Sequence, residues 1–137
     1  MKVRSFNGSA EDDQLIRKIC FGCGSKAIQG SRGFIQRMCY LHPNEIIFDI
    51  FDDKAFFFGW RGRQHVRCIA IAVLEEFQHD GIGKEIIFFE TQKAVQLGIN
   101  KMTLRTSKIE SGVNFWLSVG TKIVGEKDLD WEMLLQF

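Results

Sequence analysis

An almost uninterrupted apolar run, from Cys68 to Leu74, occupies the middle of the chain. A short apolar run bounded by polar residues is typical of a strand that is buried on both faces. The segment Gln78-His79-Asp80-Gly81-Ile82-Gly83 follows, and apolar residues then recur at helical spacing as far as Leu97. This order predicts a strand, a glycine-containing loop and a helix that ends near Gly98.

The pattern on either side of this unit predicts shorter elements. Ser9 and Asp12 have the spacing of a capping box at the start of the first helix. The remaining predicted elements are a strand at 2–6, helices at about 9–21 and 31–41, strands at 45–51, 55–60 and 64–74, and, after the central helix, a strand at 101–106, a helix at 110–119 and strands at 122–124 and 131–137. The strands before the loop form an antiparallel meander, and the crossover to 101–106 is parallel and right-handed. We expect a single mixed α/β domain spanning 1–137.

The two glycines of the loop favour anion binding. Gly81 and Gly83 lie where the helix begins, so that no β-carbon blocks the approach of a ligand to the backbone N–H groups. The alternative is a tight turn in which the glycines serve packing alone. A dinucleotide-binding loop has three glycines, and a triphosphate-binding loop has Ser or Thr after its Lys, whereas Glu85 follows Lys84 here.

Several segments occur in the order of one known family. They are Gln78-x-x-Gly81-x-Gly83, the helix exit Gly98-Ile99-Asn100 into the next strand, and the aromatic pair Phe115-Trp116 with Gly120 soon after it. With these segments the chain resembles the GCN5-related N-acetyltransferase (GNAT) superfamily over about its C-terminal half. The resemblance implies a mostly antiparallel sheet of about six or seven strands with helices on both faces. It also implies a splay between the strands at 64–74 and 101–106.

The same resemblance implies an acyl-CoA-dependent N-acyltransferase, most simply one that transfers acetyl from acetyl-CoA to an amine acceptor in a ternary complex. The pantetheine arm would pair with the backbone of Ile71, Ala72 and Val73. The diphosphate would rest on the backbone amides of the loop, which are those of Gln78, His79, Asp80, Gly81, Ile82, Gly83 and Lys84. A non-catalytic acyl-CoA-binding or interaction domain of the same fold is the alternative.

The catalytic residues usual in that family are replaced in this chain. Trp116 stands where relatives carry the Tyr that protonates the thiolate, and indole donates a hydrogen bond but is no proton source. Trp116 is still a candidate catalytic residue that would hydrogen-bond to the sulfur or shield it, and the alternative is a core aromatic residue packed beside Phe115. Arg67 occupies the strand position where relatives often carry Glu or His. His65 and Asp49 are therefore the candidate bases, although each also suits an ordinary polar strand position. Arg67 itself would suit an acceptor that bears a carboxylate or a phosphate.

A cysteine and histidine cluster supports a second alternative. Cys20, Cys23, Cys39 and His42 have the spacing of a small zinc site, which would make the chain a zinc-stabilised interaction module. Against this, Cys20 and Cys23 also continue an apolar helix face, in which buried cysteines act as small hydrophobic residues. With the acyltransferase interpretation no metal is expected.

Composition limits the partners. A net charge of +1 gives no reason to expect nucleic acid, and 45% hydrophobic residues with 13 Phe indicate a filled core. The chain has neither the apolar segment of a signal peptide nor a run long enough to cross a membrane, so we expect a cytoplasmic protein with reduced thiols. The segment 131–137 is predicted as an apolar edge strand, which leaves a monomer or a homodimer open.

Overall fold

The computed structural model describes the backbone of residues 1–23, 32–108 and 112–137, and it describes no side chains at 21–23 and 32–36. In chain order the elements are β1 (Val3–Ser5), α1 (Ala10–Cys23), α2 (Arg32–Leu41), β2 (Ile46–Phe51), β3 (Ala55–Arg61), β4 (Val66–Val73), a 3₁₀ turn (Glu75–Phe77), α3 (Ile82–Val95), β5 (Lys101–Ser107), α4 (Gly112–Ser118), β6 (Lys122–Lys127) and β7 (Asp130–Gln136). Each element expected from the hydrophobic pattern is present, with bounds that differ by a few residues at most.

All seven strands belong to one mixed sheet with the order β1-β2-β3-β4-β5-β7-β6. Strands β1 to β4 form the predicted antiparallel meander. The β4–β5 pair is parallel, as expected for two strands connected through a helix, and β5, β7 and β6 are again antiparallel. The mixed, mostly antiparallel fold class is therefore confirmed.

One prediction about the sheet is wrong. Strand β7 lies between β5 and β6, so the edge on this side is β6 and not the segment 131–137. After β5 the chain first forms the edge strand β6, and it then returns to form β7 between β6 and β5. The apolar residues of β7, such as Met133 and Leu135, are buried for this reason.

Helices cover both faces of the sheet. On one face, which we call the α3 face, Ile86 and Ile87 of α3 and Trp116 of α4 join a buried cluster with residues of β2 to β5 and β7. On the other face, the α1 face, Ile16, Ile19 and Cys20 of α1 pack on a cluster of aromatic and alanine residues from β2, β3 and β4. Among the described residues, the α1-face cluster has no member from β5, β6 or β7.

The start of α1 is held by hydrogen bonds that its sequence predicts. Ser9 Oγ accepts a hydrogen bond from the Asp12 backbone N–H at 3.1 Å, as in a capping box. The carboxylate of Asp12 is nearly buried and accepts hydrogen bonds from Asn7 N–H and from the Arg4 guanidinium, which lowers the pKa of Asp12. Helix α1 is in this way fixed to β1.

Within the described ranges, no helix is long and apolar enough to span a membrane.

Candidate functional site

A gap in the sheet separates β4 from β5. The two strands pair only at Val66 with Met102 and at Arg67 with Thr103. Beyond this point β4 remains paired with β3 as far as Val73, and β5 remains paired with β7 over its whole length. The edge of β4 that faces β5 is therefore unpaired from Cys68 onward. The splay expected between these two strands is confirmed.

A β-bulge lies next to the point where the strands part. Phe58 pairs with Ala70 and Gly59 pairs with Cys68, so Ile69 is the extra residue on β4, and its side chain is 45% exposed. A β-carbon at Gly59 would lie 2.6 Å from the carbonyl oxygen of Arg67, and the close approach therefore requires glycine. Bulges bend a strand and redirect its side chains. Here the bulge directs Ile69 out of the sheet at the closed end of the gap.

The loop after β4 is held by the glutamine of its motif. Gln78 Nε2 donates a hydrogen bond of 3.0 Å to the carbonyl oxygen of Val73, the last residue of β4. His79 and Gly81 both have positive φ, at 71° and 82°. These conformations turn the chain sharply from the strand into α3. Gln78 thus shapes the loop through its side chain, a role that the motif alone did not indicate.

The N-terminus of α3 presents free donors. Gly81 is the N-cap and has no side chain to satisfy the first-turn N–H groups, and the first helical bond is from Glu85 N–H to Gly81 C=O. In the part of the chain that the structure describes, the N–H groups of Ile82, Gly83 and Lys84 have no acceptor. A β-carbon built on Gly81 would meet no atom within 4 Å, so the space beside Gly81 at the start of α3 is open. Free N–H groups and the helix dipole together favour an anion at this place.

Asp49, one of the two candidate bases, lies buried beneath α3. Its carboxylate is 7% exposed and lies on the α3 face, where Lys93 Nζ donates to its Oδ2 at 2.5 Å. Its neighbours Phe48 and Ile50 point to the α1 face. Alternation along β2 predicted that Asp49 would point to the opposite face of the sheet from Phe48 and Ile50. It did not show which of the two faces α3 would cover. The role of Asp49 as a base therefore stays a prediction, and its bond to Lys93 does not support it.

Glu90 is a buried acid that sequence reasoning did not identify as special. Its residue exposure is 2%, and Lys93 Nζ lies 3.1 Å from its Oε2. Burial first, and then the neighbouring carboxylate of Asp49, raise the pKa of Glu90 to about 9, so that this side chain is protonated at neutral pH. The signal in the sequence was a glutamate among apolar residues at helical spacing, on the side of α3 that faces the sheet.

His65 lies outside the gap. It precedes β4, in the turn where its carbonyl oxygen accepts a hydrogen bond from Gly62 N–H. Val66 and Arg67, which pair with β5, stand between His65 and the point where the strands part. The structure therefore does not bring His65 to the open edge of β4, and its role as base remains a prediction without geometric support.

Trp116 belongs to the core. Its side chain is 6% exposed, it is part of the α3-face cluster, and its ring contacts that of Phe115 edge-on at a centroid distance of 5.1 Å. This placement favours the packing role that the sequence also allowed. Cys68 is likewise buried on this face, as predicted, and burial raises the pKa of its thiol.

The predicted zinc ligands are only partly described. Cys20 is fully buried, Cys39 is partly buried, and His42 Nδ1 lies 3.5 Å from a carboxylate oxygen of Glu45. The side chain of Cys23 lies outside the described residues. Among those that are described, no three His, Cys, Asp or Glu side chains are grouped closely enough to hold a metal ion. The zinc alternative stays a prediction.

Arg67, the candidate acceptor-binding residue, lies where β4 and β5 part. It is the last residue of β4 that pairs with β5, and its neighbours Val66 and Cys68 point to the α3 face. Because side chains alternate along a strand, Arg67 points to the α1 face. Its side chain is partly buried and, in the described part of the molecule, forms no hydrogen bond or ion pair.

Comparison with known proteins identifies the fold. The sequence matches no family model and no curated protein. Solved structures do match it over nearly its full length. The PaiA N-acetyltransferase of Thermoplasma acidophilum in complex with coenzyme A has a TM-score of 0.76 at 16% identity, covering 99% of this chain and 98% of that one.

Two further acetyltransferases are equally similar. The ribosomal-protein-S18-alanine N-acetyltransferase of Escherichia coli has a TM-score of 0.76 at 13% identity, covering 98% of this chain and 92% of that one. An aminoglycoside 6'-N-acetyltransferase complexed with coenzyme A has a TM-score of 0.78 at 15% identity, covering 99% and 97%. The chain has the fold of the GNAT N-acetyltransferases, and at these identities the likeness establishes the fold alone.

Proposed function

We propose that this protein is an acyl-CoA-dependent N-acyltransferase, most simply an acetyl-CoA:amine N-acetyltransferase. The observation that carries the proposal is the gap between β4 and β5 that leads to the uncapped N-terminus of α3. An unpaired strand edge offers hydrogen bonds to an extended amide-containing arm, and free helix N–H groups offer a seat for a diphosphate. Coenzyme A contains both groups, joined end to end.

The residues expected to hold the cosubstrate fit it. The N–H groups of Ile82, Gly83 and Lys84 have no acceptor among the described residues, and the space beside Gly81 is open, which supports a diphosphate at this place. On β4, Ile71 to Val73 lie on the unpaired part of the edge. Two solved structures of the same fold are complexes with coenzyme A, which is consistent with this use of the fold.

The reaction needs little from side chains. A neutral amine attacks the thioester carbonyl carbon, a C–N bond forms, the C–S bond breaks, and the thiolate leaves and takes up a proton. A main-chain N–H on the unpaired edge of β4 would stabilise the oxyanion that develops on the carbonyl. Holding both reactants in line supplies much of the rate. The surplus proton of the amine passes to water, because Asp49 is bonded to Lys93 and His65 lies outside the gap.

A non-catalytic acyl-CoA-binding domain is the second candidate. It is favoured by the positions of the three predicted catalytic residues. Trp116 is in the core, Asp49 faces α3, and His65 is in the β3–β4 turn. None of the three lies at the open edge of β4.

The two candidates are separated by measuring release of free thiol from acetyl-CoA with a panel of primary amines. The panel includes alkyl amines, amino acids, polyamines and short peptides. Acetyl-CoA binding with turnover of at least one amine supports the acyltransferase. Acetyl-CoA binding without turnover of any amine supports the binder, and absence of binding contradicts both.

A further inference from the structure

Arg67 is an unusual arginine in this chain. Arg4, Arg17 and Arg105 form ion pairs with carboxylates, and Arg61 donates a hydrogen bond to the carbonyl oxygen of Asn44. Arg67 is partly buried and, within the described residues, has no such partner. A partly buried cation without a partner is costly, because its lost hydration is not replaced by other hydrogen bonds. Such a residue is suited to receive its partner from outside.

The place of Arg67 joins it to the proposed reaction. Arg67 lies at the closed end of the gap, two residues before the bulge at Ile69. The next residue, Cys68, is the first on β4 that is not paired with β5. Its side chain is on the α1 face, opposite to α3. The loop that would hold the diphosphate lies at the far end of β4, so an acceptor beside Arg67 would not compete with it.

The surroundings of Arg67 favour a negative ligand. The residues across from it are Trp60 on β3 and Thr103 on β5, and neither carries a charge. Lys101, on the same face two residues before Thr103, is a second cation without an ion-pair partner in the described part of the chain. Glu132 is engaged by Arg105 at 2.9 Å and so does not neutralise either. Two cations without ion-pair partners in the described part of the chain therefore lie at the closed end of the gap.

We propose that the acceptor carries an oxyanion as well as its amine, and that the guanidinium of Arg67 binds this oxyanion. The proposal rests on the proposed function and deepens it, because it names the class of the acceptor. A guanidinium offers two parallel N–H donors that match a carboxylate or a phosphate. With the oxyanion held there, the amine of the same molecule is directed into the gap. Polycationic amines are disfavoured by the same charges.

The test uses pairs of amines that differ only in the oxyanion. Glycine, β-alanine and 4-aminobutanoate are each compared with the corresponding carboxamide, and O-phosphoethanolamine, which represents the phosphate, is compared with ethanolamine. Binding of each probe to the protein saturated with coenzyme A is followed by NMR titration, and acetylation of each is followed by thiol release. We expect the oxyanion member to bind about 10-fold more tightly than its partner at one chain length at least.

Variants show whether Arg67 is the cause. Arg67→Gln should reduce the preference to about twofold or less, and Arg67→Glu should reverse it, while the Kd for acetyl-CoA stays the same in both. Arg63→Gln is the matched control, since Arg63 is an exposed arginine in the nearby turn, and it should leave the preference intact. A preference found only with O-phosphoethanolamine identifies phosphate as the oxyanion, and one found only with the amino acids identifies carboxylate.

The opposite results are equally clear. Equal binding of the two members in every pair, the phosphate pair included, overturns the proposal, as does a preference that survives Arg67→Gln. If acetyl-CoA binds and amines are acetylated without any such preference, the class of acceptor is wrong and the acyltransferase stands. If acetyl-CoA itself does not bind, the proposed acyltransferase function is wrong, and so is the acceptor class proposed here.

Discussion

The ring of Phe115 lies against the backbone of Gly83, so close that a β-carbon at position 83 would come 2.8 Å from Cε2 of Phe115. The second glycine of the loop motif is therefore required by the packing of α4 on α3. The first, Gly81, is required by its positive φ and faces open space. The two positions of the motif thus require glycine for different physical reasons. Substitutions at Gly81 and at Gly83 should therefore have different effects.

Gly83→Ala should lower the free energy of unfolding by about 1–3 kcal/mol, because the added methyl group overlaps the ring of Phe115. Chemical denaturation measures the change. In the double variant Gly83→Ala/Phe115→Leu the two effects should be less than additive, since the smaller side chain relieves the overlap. Equal stability of Gly83→Ala and the parent protein would show that the contact is not as close as described.

Glu90 should make stability depend on pH. The pKa of Glu90 is about 9 in the folded protein, against an ordinary value of 4.5. Between these values the folded state keeps a proton that the unfolded state releases, so the free energy of unfolding falls as pH rises from about 4.5 to about 9. Glu90→Gln removes this group. Relative to the parent, the variant should gain up to about 4 kcal/mol between pH 5 and pH 8.

Glu85→Gln is the control for this experiment, because Glu85 is an exposed carboxylate on the same helix. Its effect on stability should be small and should not change with pH. If the parent and Glu90→Gln show the same pH dependence of unfolding, Glu90 is ionised in the folded state and the assignment of its burial is wrong.

Trp116→Phe should reduce stability more than turnover. The indole ring is part of the α3-face core, so the smaller ring leaves a cavity that costs about 1–3 kcal/mol. With an amine that the parent acetylates, kcat should remain within about threefold, because no proton passes through the indole. A fall of kcat by more than about tenfold at full folding, with stability unchanged, would instead assign Trp116 to the reaction.

The pH profile of turnover should reveal that the amine loses its proton to water. Below the pKa of an alkyl amine, kcat/KM should rise about tenfold per pH unit, because only the neutral amine attacks the thioester. The slope should be one throughout the range from about pH 6 to 8. A steeper slope at low pH that becomes one near neutrality, and that disappears in His65→Gln, would establish His65 as the base.

Much of the fold could be predicted from the hydrophobic pattern, since period and turn residues determine each element locally. The order of β6 and β7 could not, because local pattern does not show that the chain passes outward before it returns beside β5. The bulge at Ile69 could not be predicted either. An uninterrupted apolar run has the same pattern whether or not one of its residues is left unpaired.

The site was predictable where backbone forms it and not where side chains do. The loop follows from the positions of its glycines, and the gap was expected from the family resemblance. The direction of Asp49 depends on which face α3 covers, and the burial of Glu90 depends on Asp49 and Lys93, which are distant from one another in sequence. That the Arg67 side chain lacks an ion-pair partner among the described residues could also be seen only in the structure, because the sequence does not show which charged side chains meet.

The central claim is that the N-terminus of α3 binds the diphosphate of an acyl-coenzyme. Titration calorimetry with acetyl-CoA tests it most directly, using the parent, Gly81→Asn and Gly81→Asp. Asn and Asp both tolerate the positive φ of this position and have the same shape, so the variants differ in one negative charge. The account predicts binding to the parent and to Gly81→Asn, and affinity for Gly81→Asp at least about tenfold lower than for Gly81→Asn. No heat with the parent, or equal affinity of the two variants, would contradict it.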